Sequence, residues 1–159
     1  MNITIREAVI SDHESLCRIY EELDTLHRTN HSDLFIQPDG CARAREYVSD
    51  ILLNSEKALF VAVADGSPVG FAECYVQRSS AFPVVRKREW VQLDNIAVLE
   101  AYRGHHIGSL LLKRVAEWAK SRHIDRLELK VYSFNESAIA FYAGKGFKEL
   151  SKTMFLDLP

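Results

Sequence analysis

Cysteine is scarce in this chain and poorly placed for cross-linking. Only Cys17, Cys41 and Cys74 occur in 159 residues, an odd number, widely spaced, with no Cys-x-x-Cys pair. That usage reads as reduced thiols in a cytosolic protein, neither a disulfide framework nor a zinc knuckle. Long apolar runs are missing as well: nothing approaches the roughly 18 uninterrupted apolar residues of a membrane span. Met1 to Glu7 alternates polar and apolar residues and lacks the apolar stretch of a signal peptide. Nor does one sign of charge dominate. Twenty Lys and Arg face 22 Asp and Glu, a net charge of −2, so there is no global basic field for nucleic acid. What is there is ordinary: 47% hydrophobic and 26% charged residues, outside the disordered and fibrous classes. The length suits one domain, residues 1–159, with a sizeable core. The expectation is a cytoplasmic domain engaging neither membrane nor nucleic acid.

Hydropathy patterning places the elements. Ile3 and Ile5 alternate with polar neighbours as in a half-buried strand. Ser11 followed by Glu14 is a capping-box signature, and Leu16, Ile19, Tyr20, Leu23 and Leu26 then recur at helical spacing to about His27. His27 to Gly40 reads as a loop, and Cys41 to Asn54 as a second helix with Ala44, Val48, Ile51 and Leu52 on one face. Ala58–Ala64 and Val69–Gln77 are strands about the Asp65-Gly66-Ser67 turn signal. Trp90–Val98 is another strand, Ile107–Ala119 an amphipathic helix, and Leu127, Leu129 and Val131 alternate as a strand. Asn135–Lys145 is a short helix closed by Gly146, and Phe147–Leu158 supplies a last strand. The order β-α-α-β-β-β-α-β-α-β predicts an α/β fold: a twisted mixed sheet flanked by helices.

The richest segment runs from Leu93 to Leu111: an apolar strand, a turn with Arg103 and Gly104, then a strongly amphipathic helix. The first N–H groups of a helix have no internal partner and sit at the positive end of its dipole. Glycines that let those amides approach a ligand make an anion site, usually for phosphate. No Gly-Lys-Ser/Thr triplet is present, which excludes a P-loop. Gly104 and Gly108 stand too late in the chain for a Rossmann fingerprint.

Arg103-Gly104-His105-His106-Ile107-Gly108 resembles the acetyl-CoA pyrophosphate loop of the GNAT N-acetyltransferase superfamily, Gln/Arg-x-x-Gly-x-Gly/Ala. Arg103 and Gly108 match; His106 stands where the family usually has its first glycine. A β-carbon there restricts positive φ, and a helical conformation with the amide still donating would accommodate it. Asn135-Glu136-Ser137-Ala138-Ile139-Ala140-Phe141-Tyr142-Ala143-Gly144-Lys145-Gly146-Phe147 resembles the family's Asn-x-x-Ala-x-x-Phe-Tyr-x-x-x-Gly-Phe block. The likeness covers essentially the whole chain, its motifs lying between Leu93 and Phe147.

The resemblance implies direct transfer of an acetyl group from acetyl-CoA, as acyl-donor substrate, to a primary amine of a small molecule or peptide. It implies no metal. Backbone groups of Ile96, Ala97 and Val98 would hold the thioester and pantetheine arm, and the amides from Arg103 through His105, His106, Ile107, Gly108 and Ser109 the pyrophosphate. His105 and His106 either add donors or face solvent. Asn135 would bond the pantetheine arm; it also fits an N-cap, a role for which Ser133 with Glu136 competes. Tyr142 is the expected acid toward the coenzyme A thiolate, a phenol being reasonably matched to a thiol. For the base, Asp94 lies on the face of Ile96 by the two-residue period; Glu73 is the second candidate, and a water relay the third.

Acceptor residues lie in the first half, outside the motifs. Asp24 and His27, near the end of the first helix and beside the Phe35 loop, are placed to line a pocket. Arg78, Arg86, Lys87 and Arg88 either meet a phosphate or anionic acceptor, or form a solvated loop. Relatives commonly dimerise, which makes a homodimer compatible, though no residue compels it. The competing reading is a non-catalytic acyl-CoA-binding or regulatory module of the same fold.

Overall fold

Alternation at the start of the chain produces β1 (Ile3–Glu7), followed by a turn of 3₁₀ helix at Ile10–Asp12 and helix α1 (His13–Asn30). The computed structural model describes residues 2–159, so the expected leaderless start at Met1 lies outside the described residues. Further along come α2 (Arg45–Leu53), β2 (Lys57–Ala64), β3 (Ser67–Arg78) and β4 (Glu89–Val98). A second 3₁₀ turn, Glu100–Tyr102, leads to α3 (Ile107–Ser121), then β5 (Leu127–Leu129) and α4 (Glu136–Gly144). The five strands stand in sequence order; neighbours are antiparallel except β4 and β5, which run parallel across the α3 crossover.

Both sheet faces are covered, as an α/β arrangement requires. One face buries Phe60, Ala72, Val91 and Leu93 against Ile107, Leu111, Val115 and Trp118 of α3. The other buries Leu59, Val61 and Phe71 against Leu16, Ile19 and Tyr20 of α1 and Val48 and Ile51 of α2. The β2–β3 hairpin turns through Asp65 (φ +51) and Gly66 (φ +85). Both are left-handed, the geometry that matches strand twist in a two-residue loop.

Four expectations are corrected. The Ser11–Glu14 capping box does not form. Instead Asp12 accepts the Val9 N–H at 2.9 Å and both Arg6 guanidinium nitrogens at 2.7 and 2.9 Å. Helix α2 starts at Arg45, not Cys41, because residues 41–44 are drawn onto α1. The final strand is absent: 147–159 carry no regular structure, and Met154, Phe155, Leu156 and Leu158 are 81–89% exposed. A strand needs a paired edge, and none of these residues pairs with the three-residue β5. Finally, the three cysteines are not all reduced thiols. The loop after α1 folds back along it, bringing Cys41 to Cys17 with their Cα atoms 5.6 Å apart, and the two form a disulfide. Cys74 is free and buried, and that burial pushes its thiol up to about 12.

Candidate active site

Strand β4 outlasts its parallel neighbour. Val91, Gln92 and Leu93 pair with Leu127, Glu128 and Leu129, and there the pairing ends. Among the described residues, no strand lies beside β4 on that side from Asp94 to Val98, so its edge is open there.

At the end of β4 the Leu99 N–H bonds Val69 O at 2.9 Å, and the chain then enters an exposed turn, Arg103 to His106. Gly104 is left-handed at φ +80, a conformation that costs glycine nothing. His106, at φ +59 and ψ 11, is left-handed too, not right-handed helical. Histidine tolerates this better than most residues with a β-carbon. The Leu110 N–H finds His106 O at 3.1 Å. Among the described residues, the N–H groups of Gly104 through Ser109 donate to no protein acceptor. Six consecutive unsatisfied donors at the positive end of α3 form the cradle that an anionic diphosphate needs.

Side chains around this turn are partly committed. Arg103 Nε donates to Val98 O at 3.0 Å, and its terminal nitrogen lies 3.5 Å from Glu22 of α1. Glu22 also accepts the Glu100 N–H at 3.0 Å, so it pins the turn to α1; no motif or local period marks a contact between residues 78 positions apart. His105 is turned inward on its own loop, Nδ1 lying 3.0 and 3.2 Å from the carbonyls of Arg103 and Tyr102.

Helix α4 packs beside this turn: a Cβ placed on Gly108 would stand 3.5 Å from the Phe141 ring. Asn135 is its N-cap, Oδ1 accepting the Ala138 N–H and the Ser137 hydroxyl, each at 3.2 Å. Tyr142 is half-buried between Phe141 and Phe147, with ring centroids 5.4 and 5.6 Å away. Burial pushes its phenol up to about 12, so it carries its proton at neutral pH.

Glu73 is 5% exposed and ringed by donors. Tyr20 OH donates to it at 2.7 Å, Tyr47 OH at 2.5 Å, and the Asn95 amide approaches at 3.4 Å. Burial, then the charge of Glu73 and the hydrogen bond to it, raises both phenols well above their usual range. Asp94 differs from its expected placement. The register slips between Glu73 and Cys74, whose partners are Asn95 and Leu93, so Asp94 is the extra residue of a β-bulge. The bulge breaks the two-residue alternation. Ile96 packs with the α3 face, whereas the Asp94 carboxylate accepts from Asn95 at 3.1 Å, on the Glu73 side. Desolvation there, then the Glu73 charge, pushes the Asp94 pKa up.

On the acceptor side, His27 and Phe35 do meet, with centroids 5.3 Å apart. Tyr132 and Phe134, from the β5–α4 connection, join them within 5.8 Å of His27. These two escaped the sequence reading because they lie in a loop with no periodicity. Asp24 is not a free charge: it is paired with Arg43, whose guanidinium lies 4.3 Å over the Tyr20 ring. Arg78 binds Glu56 and Glu89, and Arg88 binds Glu128 and stacks on Trp90 at 4.0 Å. Both are internal pairs. Beside Asp94, a recess of about 330 Å³ opens on the same sheet face, lined by Tyr75, Gln77, Trp90, Gln92 and Lys130.

Comparison with known proteins agrees with this geometry. The model of the acetyltransferase (GNAT) family matches residues 16–147. Over 106 residues the chain is 36% identical to the uncharacterized N-acetyltransferase MJ1207 of Methanocaldococcus jannaschii; the match covers 67% of this chain and 46% of that protein, so the chain spans about half of that relative's length. A mutant form of the BH1408 protein of Bacillus halodurans superposes with a TM-score of 0.93 at 25% identity, over 98% of this chain and 99% of that one. Aminoglycoside N-acetyltransferase AAC(6')-Iy, solved in complex with CoA, shares the fold at a TM-score of 0.76 and 18% identity, over 99% and 95% of the two chains.

Proposed function

The chain belongs to the acetyltransferase (GNAT) family, and on that footing we propose that it is an acetyl-CoA-dependent N-acetyltransferase, acting as one domain on a primary amine of a small molecule or peptide. The observation that carries the reading is a pair of openings in the backbone's hydrogen bonding. The open edge of β4 from Asp94 to Val98 and the free amides of Gly104 to Ser109 are joined by one short 3₁₀ turn, Glu100–Tyr102. A pantetheine arm can bond the first as a strand would, while the diphosphate takes the second. The thioester then lies in the opening between β4 and β5, with α4 on one side and Asp94 on the other.

The amine must lose a proton to attack the thioester carbonyl carbon. Asp94, its affinity for a proton raised by its surroundings, takes that proton directly or through water. Glu73, already holding two phenols, positions Asn95 and Asp94. Attack gives a tetrahedral intermediate whose oxyanion meets β4 backbone N–H groups. Collapse breaks the C–S bond, and Tyr142 returns a proton to the thiolate. The recess beside Asp94 is polar and aromatic, which favours a polar amine. No helix among the described residues is long and apolar enough to cross a membrane.

The test is thiol release from acetyl-CoA against a panel of polyamines, aminoglycosides, amino acids and peptides. Turnover with at least one amine is expected. In Tyr142→Phe, turnover drops by about 10²-fold or more with acetyl-CoA affinity retained. Binding of acetyl-CoA without turnover on any amine would favour the non-catalytic module instead.

A further inference from the structure

Away from the cleft, three donors of soft-metal type converge where the α1–α2 loop meets α1. His13 and Cys17 stand one helical turn apart, on the same face, and Nε2 of His13 lies 3.5 Å from Cys17 Sγ. Cys41 Sγ is joined to Cys17. All three ligand atoms fall within 4.8 Å of one another. A fourth atom faces the same point: the Arg43 carbonyl oxygen, 2.8 Å from His13 Nε2, 3.2 Å from Cys41 Sγ and 3.9 Å from Cys17 Sγ.

We propose that His13, Cys17 and Cys41 form a redox-gated site for a thiophilic divalent cation of the zinc type, closed as the disulfide and opened by a dithiol. Zinc bonds of about 2.3 Å to sulfur and 2.0–2.1 Å to nitrogen, set tetrahedrally, space a sulfur and a nitrogen ligand about 3.6 Å apart and two sulfurs about 3.8 Å apart. The His13–Cys17 spacing already meets the first figure. Meeting the second requires that the two sulfurs part, and Cys41 sits in an exposed segment without regular structure; ligation through Nε2 also moves its proton, donated to the Arg43 carbonyl in the closed form, to Nδ1. Two thiolates and a neutral imidazole neutralise a divalent ion, leaving the fourth position to the Arg43 carbonyl or a water.

Opening is ordinary thiol–disulfide exchange. One thiolate of the dithiol attacks the exposed Cys41 Sγ, forming a mixed disulfide and releasing Cys17. The second thiolate closes the reagent's own disulfide and releases Cys41. Two electrons pass to the protein, and the reagent's two protons go to the protein sulfurs, to be given up to solvent when the metal binds. Either closure ties residues 41–44 to α1, and with them Arg43, which pairs with Asp24 and lies over Tyr20.

The test uses the full chain and cobalt(II) as an optical probe, displaced afterwards by zinc(II). Before any reduction, the denatured protein should show only the Cys74 thiol, and the folded protein should take up no cobalt. After dithiothreitol treatment and its removal under anaerobic conditions, a single cobalt ion per chain should bind with a thiolate-to-metal absorption band. Reduced Cys17→Ser and Cys41→Ser should lose the band, His13→Ala should bind at least about tenfold more weakly, and Cys74→Ala should bind as the parent does. Cys41→Ser changes an exposed loop residue and keeps the test sound where Cys17→Ser fails to fold. Three free thiols before reduction, the same band in the oxidised protein, no band in the reduced one, or dependence on Cys74 each overturns the proposal.

Discussion

The two faces of the sheet treat polar groups in opposite ways. On the α3–α4 face, the turn after β4 leaves backbone N–H groups from Gly104 to Ser109 without protein acceptors. On the α1–α2 face, side-chain charges are taken up inside the protein: Glu73 by Tyr20 and Tyr47, Asp24 by Arg43, Asp12 by Arg6. The first arrangement is a row of free donors, built from an atom pair that every residue but proline possesses. The second is a rigid wall, held by pairs whose loss is felt as instability before it is felt as altered binding. Asp94, lifted out of alternation by its bulge, is the point where the wall meets the cleft.

The largest effect should come from putting charge among those donors. Gly108→Glu has room for its Cβ beside Phe141 but sets a carboxylate where the diphosphate would lie. Acetyl-CoA affinity should fall by about 100-fold in calorimetric titration, with melting temperature little changed. Unchanged affinity would move the anion elsewhere and break the contrast between the faces. A middle effect is expected in the wall. Tyr20→Phe leaves the ring tilted against Phe71 but strips a donor from buried Glu73, which should cost about 1–3 kcal/mol in chemical denaturation. Acetyl-CoA affinity should not move. The smallest effect sits at the edge of the wall and depends on pH. Burial opposes ionisation of Asp12, but the Arg6 hydrogen bonds and the Val9 N–H outweigh it, and its pKa is lowered overall. The stability it contributes is therefore present above the ordinary carboxylate value of 3.8 and drains away as pH falls through the lower folded value. Asp12→Asn should cost about 1 kcal/mol near neutrality, and the gap from the parent should narrow in acid; a constant gap would show that the charge is idle.

Much of this was legible beforehand. The helix of α3 and the hairpin at Asp65-Gly66 follow from periodicity and turn chemistry, and of the two caps open at the start of α4 it is Asn135 that forms. The misreadings share one cause. Ser11 and Glu14 have the right spacing for a cap, but Asp12 is captured by Arg6 from the neighbouring strand. The two-residue period assigned Asp94 to the Ile96 face, and a bulge against β3 reversed it. Phe147–Leu158 has strand-like composition and no edge to pair with.

From residue order alone came the strand–turn–helix cradle and the α4 block, because backbone dihedrals, helix dipoles and hydropathic period are set within a few residues of one another. The Cys17–Cys41 bridge, the neutralisation of Asp24, the Tyr132–Phe134 contacts with His27 and the face of Asp94 were decided only when distant segments met. Each depends on which neighbour a side chain finds across the sheet or along a loop, and no local rule carries that distance.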